Sequence, residues 1–179
     1  MRLDLIRYYA ECVKTFLVKK KATLLFLYAL FMTGFVVFNY FFRPVVVAGS
    51  SMLPTLNNDQ TIFIKRLIAE EDIKKGDIIV FRSPLNRDKL LVKRVIATAG
   101  DTVAIIEGKV YVNGKLLYEP YLNGVKSHET IPMVRVPEGC YYVLGDNRVV
   151  SMDSREFGFV KVEDVYGKLV FKGEGDPFN

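Results

Sequence analysis

The chain has 179 residues, half of them hydrophobic, with 25 lysines and arginines against 20 acidic residues and a formal charge of +5. That length allows one compact domain with an appended segment and excludes a large multidomain machine, while the hydrophobic content excludes a disordered polymer. A single histidine, His128, rules out a zinc site built on two imidazoles, two cysteines cannot make a scaffold of several bridges, and C-x-x-C, G-x-x-x-x-G-K-[ST] and G-x-G-x-x-G are absent. The expectation is a protein without a metal or other cofactor.

Residues 1–21 carry Arg2, Arg7, Lys14, Lys19, Lys20 and Lys21 against Asp4 and Glu11, so +4 of the +5 charge lies there. Leu3, Ile6, Val13, Phe16 and Leu17 recur at helical spacing. This predicts a cytoplasmic amphipathic segment lying on the membrane surface, with a solvated helical extension as the plainer reading. Residues 22–42 follow as 21 positions without a charge, apolar on every side. At ~1.5 Å per residue they cross the ~30 Å hydrocarbon core, which predicts one transmembrane helix.

The basic flank predicts a cytoplasmic N-terminus and places residues 43–179 on the far side of the membrane. Val46-Val47-Ala48 before Gly49 resembles the cleavage site of a secretory leader. The apolar run exceeds the ~7–15 residues of such a leader, so the span is read as retained. Because the charge belongs to the tail and not to the folded part, nucleic-acid binding is not expected. Cys12 and Cys140 fall on opposite sides of the span and are not expected to pair.

Beyond the span, short β-branched and aromatic runs recur at 45–47, 61–65, 77–81, 90–97, 102–106, 109–112, 115–118, 141–144 and 168–171. Turn signals such as Lys75-Gly76, Gly100-Asp101 and Asn123-Gly124 separate them. Asn113-Gly114 predicts a type I′ hairpin. Residues 121–130, including His128, read as a polar loop, and no sustained amphipathic helix follows the span. The expected fold is mainly β: an antiparallel sheet or partly open, barrel-like domain (43–179) behind one membrane helix.

Three segments stand out chemically: Gly49 to Leu56, Leu91 to Ile96, and Gly145 to Arg155. In an extended strand Leu91, Lys93, Val95 and Ala97 share one face and Leu90, Val92, Arg94 and Ile96 the other. Neither face is polar, so at least one cation is expected to be partly desolvated. Burial disfavours an ammonium and lowers the lysine pKa, which makes it a general base near neutrality; arginine does not lose its proton in this way. A buried Arg94 needs a carboxylate, which the Asp146 or Asp153 region could supply. A lysine base needs a nucleophile, and Ser51, Ser50, Ser83 and Ser151 are all eligible.

At these segments the chain resembles the membrane-anchored type I signal peptidases of bacteria. The matching residues are Ser51-Met52-x-Pro54-Thr55-Leu56, then Lys93-Arg94-Val95-Ile96 with Gly100-Asp101, and Gly145-Asp146-Asn147-Arg148-x-x-Ser151-x-Asp153-Ser154-Arg155-x-x-Gly158. The resemblance runs from the span to about Leu169. It implies a serine endopeptidase of the bacterial cytoplasmic membrane that removes signal peptides from exported preproteins, cutting after small residues at Ala-x-Ala sites.

By the same resemblance Ser51 is the nucleophile and Lys93 the general base, with the Ser51 backbone N–H as an oxyanion donor. Ser151 would orient the Lys93 amine by a hydrogen bond, and Arg94–Asp146 and Asp153–Arg155 would be supporting ion pairs. Val45, Val47, Met52, Leu56 and Val92 sit where substrate pockets would be lined, core packing being the alternative. Some family members carry a serine donor where this chain has Gly49. Implied partners are preproteins, membrane lipid and, transiently, the export channel. Two other readings fit the same residues: a dedicated Ser-Lys peptidase maturing one secreted or conjugation protein, and a non-catalytic membrane-tethered β-module that binds exported chains.

Overall fold

The computed structural model describes residues 2–66, 69–122, 124 and 127–172, with side chains from residue 20 to residue 170. The chain divides into two units, Met1–Phe41 and Phe42–Asn179. The first is one helix, α1 (Arg2–Phe41), whose stretch Lys20–Phe41 is long and apolar enough to cross a membrane. Leu25, Phe31 and Phe35 are among its exposed apolar side chains. Thr33 Oγ1 donates to Ala29 O and Asn39 Nδ2 to Phe35 O, both at 2.8 Å. These polar groups are thus satisfied by the helix itself, as a lipid-facing helix requires. The helix stops at Phe41 because Phe42 already pairs with Lys65 in the first strand. The side chains of the surface-facing set read in residues 1–18, Cys12 included, lie outside the described residues.

The second unit is mainly β. Its strands are β1 (Phe42–Val46), β2 (Thr61–Lys65), β3 (Ile78–Arg82), β4 (Leu90–Ala97), β5 (Thr102–Ile106) and β6 (Lys109–Val112). They continue with β7 (Lys115–Leu116), β8 (Ile131–Arg135), β9 (Cys140–Leu144), β10 (Val160–Lys161) and β11 (Val165–Lys172), and a one-turn helix α2 (Ser154–Phe157) precedes β10. All pairings are antiparallel. A seven-stranded sheet runs β1-β2-β11-β3-β4-β9-β10 and a four-stranded sheet runs β7-β6-β5-β8. Neither closes on itself.

The middle of the larger sheet is buried on both sides, and β3 shows why. Ile78 and Val80 join Val47, Met52, Leu56, Ile62 and Ile64 on one side, while Ile79 and Phe81 join Val95, Tyr141 and Val143 on the other. A strand covered on both faces reads as a continuous apolar run, here Ile-Ile-Val-Phe, and not as an alternation. A third cluster, Ile96, Ala97, Val103, Ile105, Val110, Tyr142 and Leu144, ties the ends of β4 and β9 to the smaller sheet.

The hairpin β6–β7 turns through Asn113 (φ 52°) and Gly114 (φ 74°), the left-handed pair that a type I′ turn demands. Strand β7 is shorter than the expected 115–118. Strand β8 escapes the sequence pattern because Pro132 interrupts it; as an edge strand paired, among the described residues, with β5 alone, it tolerates a residue lacking an N–H. Strand β10 has two residues, too few for a period to register. Within 121–130, a single 3-10 turn at Pro120–Leu122 begins the segment and His128 is exposed, while residues 123, 125 and 126 lie outside the described residues.

Candidate active site

Three pieces of chain meet at one place. The first is the connection from β1 to β2, closed by Val47 N to Gln60 O (2.9 Å) and Asp59 N to Val47 O (2.8 Å). Met52 and Leu56 anchor it, 1% and 0% exposed, and Ser51, directly before Met52, is half-buried. The second is β4, whose register sets Lys93 opposite Ile79 and Arg94 opposite Ile78. The third leaves β9, where Leu144 pairs with Arg94, so the turn 145–147 emerges beside the β4 cations.

Lys93 Nζ donates to Ser51 Oγ at 2.9 Å and to Val92 O at 3.0 Å. The residue is 3% exposed. Burial pushes its pKa down from 10.5 to about 8, against the opposing pull of the Asp153 and Asp146 carboxylates. The amine is therefore neutral in an appreciable fraction of molecules near neutrality and can accept a proton from the hydroxyl it touches. Of the four serines eligible by sequence, Ser51 is the one bonded to Lys93.

Arg94 forks onto Asp146, Nε to Oδ1 at 2.8 Å and Nη2 to Oδ2 at 2.6 Å, and gives Nη1 to Gly76 O at 2.8 Å. Asp153 has no exposed side-chain surface. It receives Arg155 Nε (2.8 Å) and Nη2 (3.0 Å), and Gly145 N (2.9 Å). It also accepts from Arg155 N as the N-cap of α2. Arg155 holds Ser151 O at 3.1 Å and Glu129 at 2.7 Å. Fully buried carboxylates persist only when ionic and backbone donors surround them in this way. Among the described residues, no group of three His, Cys, Asp or Glu side chains is placed to hold a metal.

Residues 19–173 match the family described as Signal peptidase, peptidase S26. The chain is 41% identical to Signal peptidase I of Bacillus caldolyticus over 147 residues, 74% of this chain and 80% of that one. The chain belongs to the signal peptidase family. It is also 39% identical to Signal peptidase I S of Bacillus subtilis (strain 168) over 158 residues, 79% and 80% of the two chains. A crystal structure of a signal peptidase I from Enterococcus faecalis V583 aligns with a TM-score of 0.49 at 39% identity, over 55% of this chain and 97% of that one.

In this member of the family the predicted residues do not all meet. Ser51 with Lys93, Arg94 with Asp146, and Asp153 with Arg155 are in contact. Ser151 is not joined to Lys93: its Oγ is buried without a hydrogen-bond partner. It is packed instead against Gly145, where a Cβ would lie 2.0 Å from Ser151 Oγ and 2.6 Å from Ser51 O. Val47, Met52 and Leu56 are core residues, 4% exposed or less, and Val45 and Val92 are half-buried against the same cluster. Gly49 has φ +96° and open space beyond its Cα, and its N–H donates to Asn58 Oδ1 at 2.7 Å.

Sequence reasoning gave no individual role to Asn147, Arg148, Glu119 or Tyr121. Asn147 donates its backbone N–H to Ser51 O (3.0 Å) and its amide to Ser50 O (3.1 Å), fixing the backbone under the hydroxyl. Glu119 receives the guanidinium of Arg148 and, at 2.7 Å, the hydroxyl of Tyr121. The signal for Arg148 and Asn147 lay in the Gly145 to Arg155 segment. Glu119 lies in no motif.

Proposed function

We propose that this chain is a membrane-bound serine endopeptidase that removes signal peptides from exported preproteins, with Ser51 as nucleophile and Lys93 as general base. The observation that carries the reading is the 2.9 Å contact between a desolvated Lys93 amine and Ser51 Oγ in a chain of this family. Neutral Lys93 takes the Ser51 proton as Oγ bonds to the scissile carbonyl carbon. When the tetrahedral species collapses, the C–N bond breaks and the Lys93 ammonium gives the proton to the leaving amine. Water then attacks the acyl ester, its proton passing through Lys93 back to Ser51 Oγ. The Ser51 N–H donates to the developing oxyanion, where one donor contributes ~3–4 kcal/mol.

Among the described residues strand β1 ends the larger sheet and pairs with β2 alone, which supports a substrate that binds extended and adds a strand beside residues 45–48. Side chains alternate along such a strand, so shallow recesses beside half-buried Val45 and Val92 would take the small residues one and three positions before the cut. Val47, Met52 and Leu56 form the floor behind them. The apolar stretch of α1 that ends at Phe41 anchors the protein in lipid. The basic segment 1–21 keeps the N-terminus cytoplasmic and places residues 43–179 outside, where preproteins leaving the export channel pass.

The test is cleavage of a preprotein bearing an Ala-x-Ala site by full-length protein in detergent, with the cut located by mass spectrometry. One cut after the second alanine, lost in Ser51→Ala and in Lys93→Ala, is expected. Full activity in either variant overturns the dyad, and no cut by the folded wild type overturns the substrate class.

A further inference from the structure

We propose that Glu119 is a positioning residue for the hydrolysis, holding the turn 145–147 against the backbone of Ser51 through Arg148 and Tyr121. Glu119 follows β7, at the exit from the smaller sheet, and its side chain is 8% exposed. Both carboxylate oxygens are engaged by Arg148, one of them also by the Tyr121 hydroxyl. Arg148, whose side chain is 2% exposed, passes the constraint on through Nε to Gly145 O at 2.9 Å. The Tyr121 ring lies 3.9 Å from the Arg94 guanidinium, which is forked on Asp146.

Glu119 therefore reaches the turn at two successive residues, Gly145 through Arg148 and Asp146 through Tyr121 and Arg94. The third residue of the turn, Asn147, donates to both Ser50 O and Ser51 O. A carboxylate that touches neither member of the dyad thus fixes the surface on which the nucleophile rests. Misplacement of a reacting group by ~1 Å costs about a hundredfold in rate, so loosening this turn must reach the chemistry. A buried ion pair that served folding alone would leave the turnover of the folded fraction untouched.

The inference rests on the peptidase reading above, and the assay separates the two. Full-length wild type, Ser51→Ala, Glu119→Gln, Tyr121→Phe, Arg148→Met and the double variant Glu119→Gln/Arg148→Met are compared on the Ala-x-Ala preprotein in detergent. Lys109→Gln, at an exposed position of β6 in the same smaller sheet, is the control. For Glu119→Gln the expected result is a kcat per folded molecule about tenfold to a hundredfold lower with KM within about twofold, because positioning acts on the transition state. Tyr121→Phe falls by a few-fold, and Lys109→Gln is unchanged.

The double variant is expected to be no slower than Arg148→Met, because the two residues act as one unit. Wild-type kcat in folded Glu119→Gln overturns the inference while leaving the peptidase reading intact, as do losses that multiply in the double variant. Should Glu119→Gln not fold, wild-type kcat in Tyr121→Phe overturns it equally. A wild type that does not cut, or a Ser51→Ala that does, overturns the peptidase reading and this inference with it.

Discussion

Lys93 Nζ lies 2.9 Å from Ser51 Oγ, 42 residues away in sequence, inside a site that leaves the lysine 3% exposed. The same burial that lowers the pKa of the amine also makes its charged form a cost to the fold, and these two consequences can be measured separately.

The first measurement is rate against pH. With the Lys93 pKa of the free protein lowered to about 8, kcat/KM is expected to rise with pH through a midpoint near 8, because only the neutral amine accepts the Ser51 proton. Lys93→Arg, which keeps the charge but does not deprotonate, is expected to be inactive across the range. A flat profile from pH 6 to 9 in single-turnover assays would sink the general-base assignment.

Stability should move in the same direction, over a higher range of pH. Between about 8 and 10.5 the unfolded chain binds the Lys93 proton and the folded chain does not, so this residue's contribution to stability rises with pH across that window. Below about 8 the ammonium is buried in full and costs about 3 kcal/mol, at ~1.4 kcal/mol per unit. Lys93→Met is therefore expected to be inactive yet more stable than wild type at pH 7 by ~1–3 kcal/mol, once the lost hydrogen bond to Ser51 is counted. The gap closes as pH rises toward 10, which denaturant titration in detergent at several pH values would show.

Asp153 acts on both quantities. Its carboxylate holds Arg155 and Gly145 N, so Asp153→Asn leaves a half-paired buried guanidinium and is expected to cost ~3 kcal/mol. Because the Asp153 charge favours the Lys93 ammonium, its removal also lowers the kcat/KM midpoint below about 8. A variant that loses stability with an unmoved midpoint would show that Asp153 supports the scaffold only.

Gly145→Ala is expected to be the most damaging one-methyl change at the site. The added Cβ meets Ser151 Oγ at 2.0 Å, Ser151 Cβ at 2.4 Å and Ser51 O at 2.6 Å, and the last is the backbone carbonyl of Ser51 itself. Overpacking of this kind costs ~1–3 kcal/mol. Here the relaxation displaces Ser51 as well, so kcat of the folded fraction should drop by about tenfold or more. Gly114→Ala in the β6–β7 hairpin, with open space but φ +74°, should destabilise through strain and leave kcat unchanged.

Much of this protein could be read along the chain. An uncharged run of membrane length, a basic flank, turn residues between β-branched runs and the Asn113-Gly114 hairpin are local properties, and local sterics and hydropathy decide them. Lys93 was visible for a similar reason: a cation in a strand with no polar face must be desolvated, whatever lies across from it.

What lay across from it was decided only by the tertiary structure. Register and close packing brought Ser51, and not Ser50, Ser83 or Ser151, to the amine, and left the Ser151 hydroxyl buried without a partner. Alternation along a strand announces burial but not the neighbour, so Val47, Met52 and Leu56 proved to be core floor while Val45 and Val92 stand at its margin. Strand β8 was hidden by Pro132, which an edge position makes harmless. Glu119 was invisible because its importance comes from Arg148, 29 residues away, and an ion pair closed by folding leaves no period or spacing in the sequence.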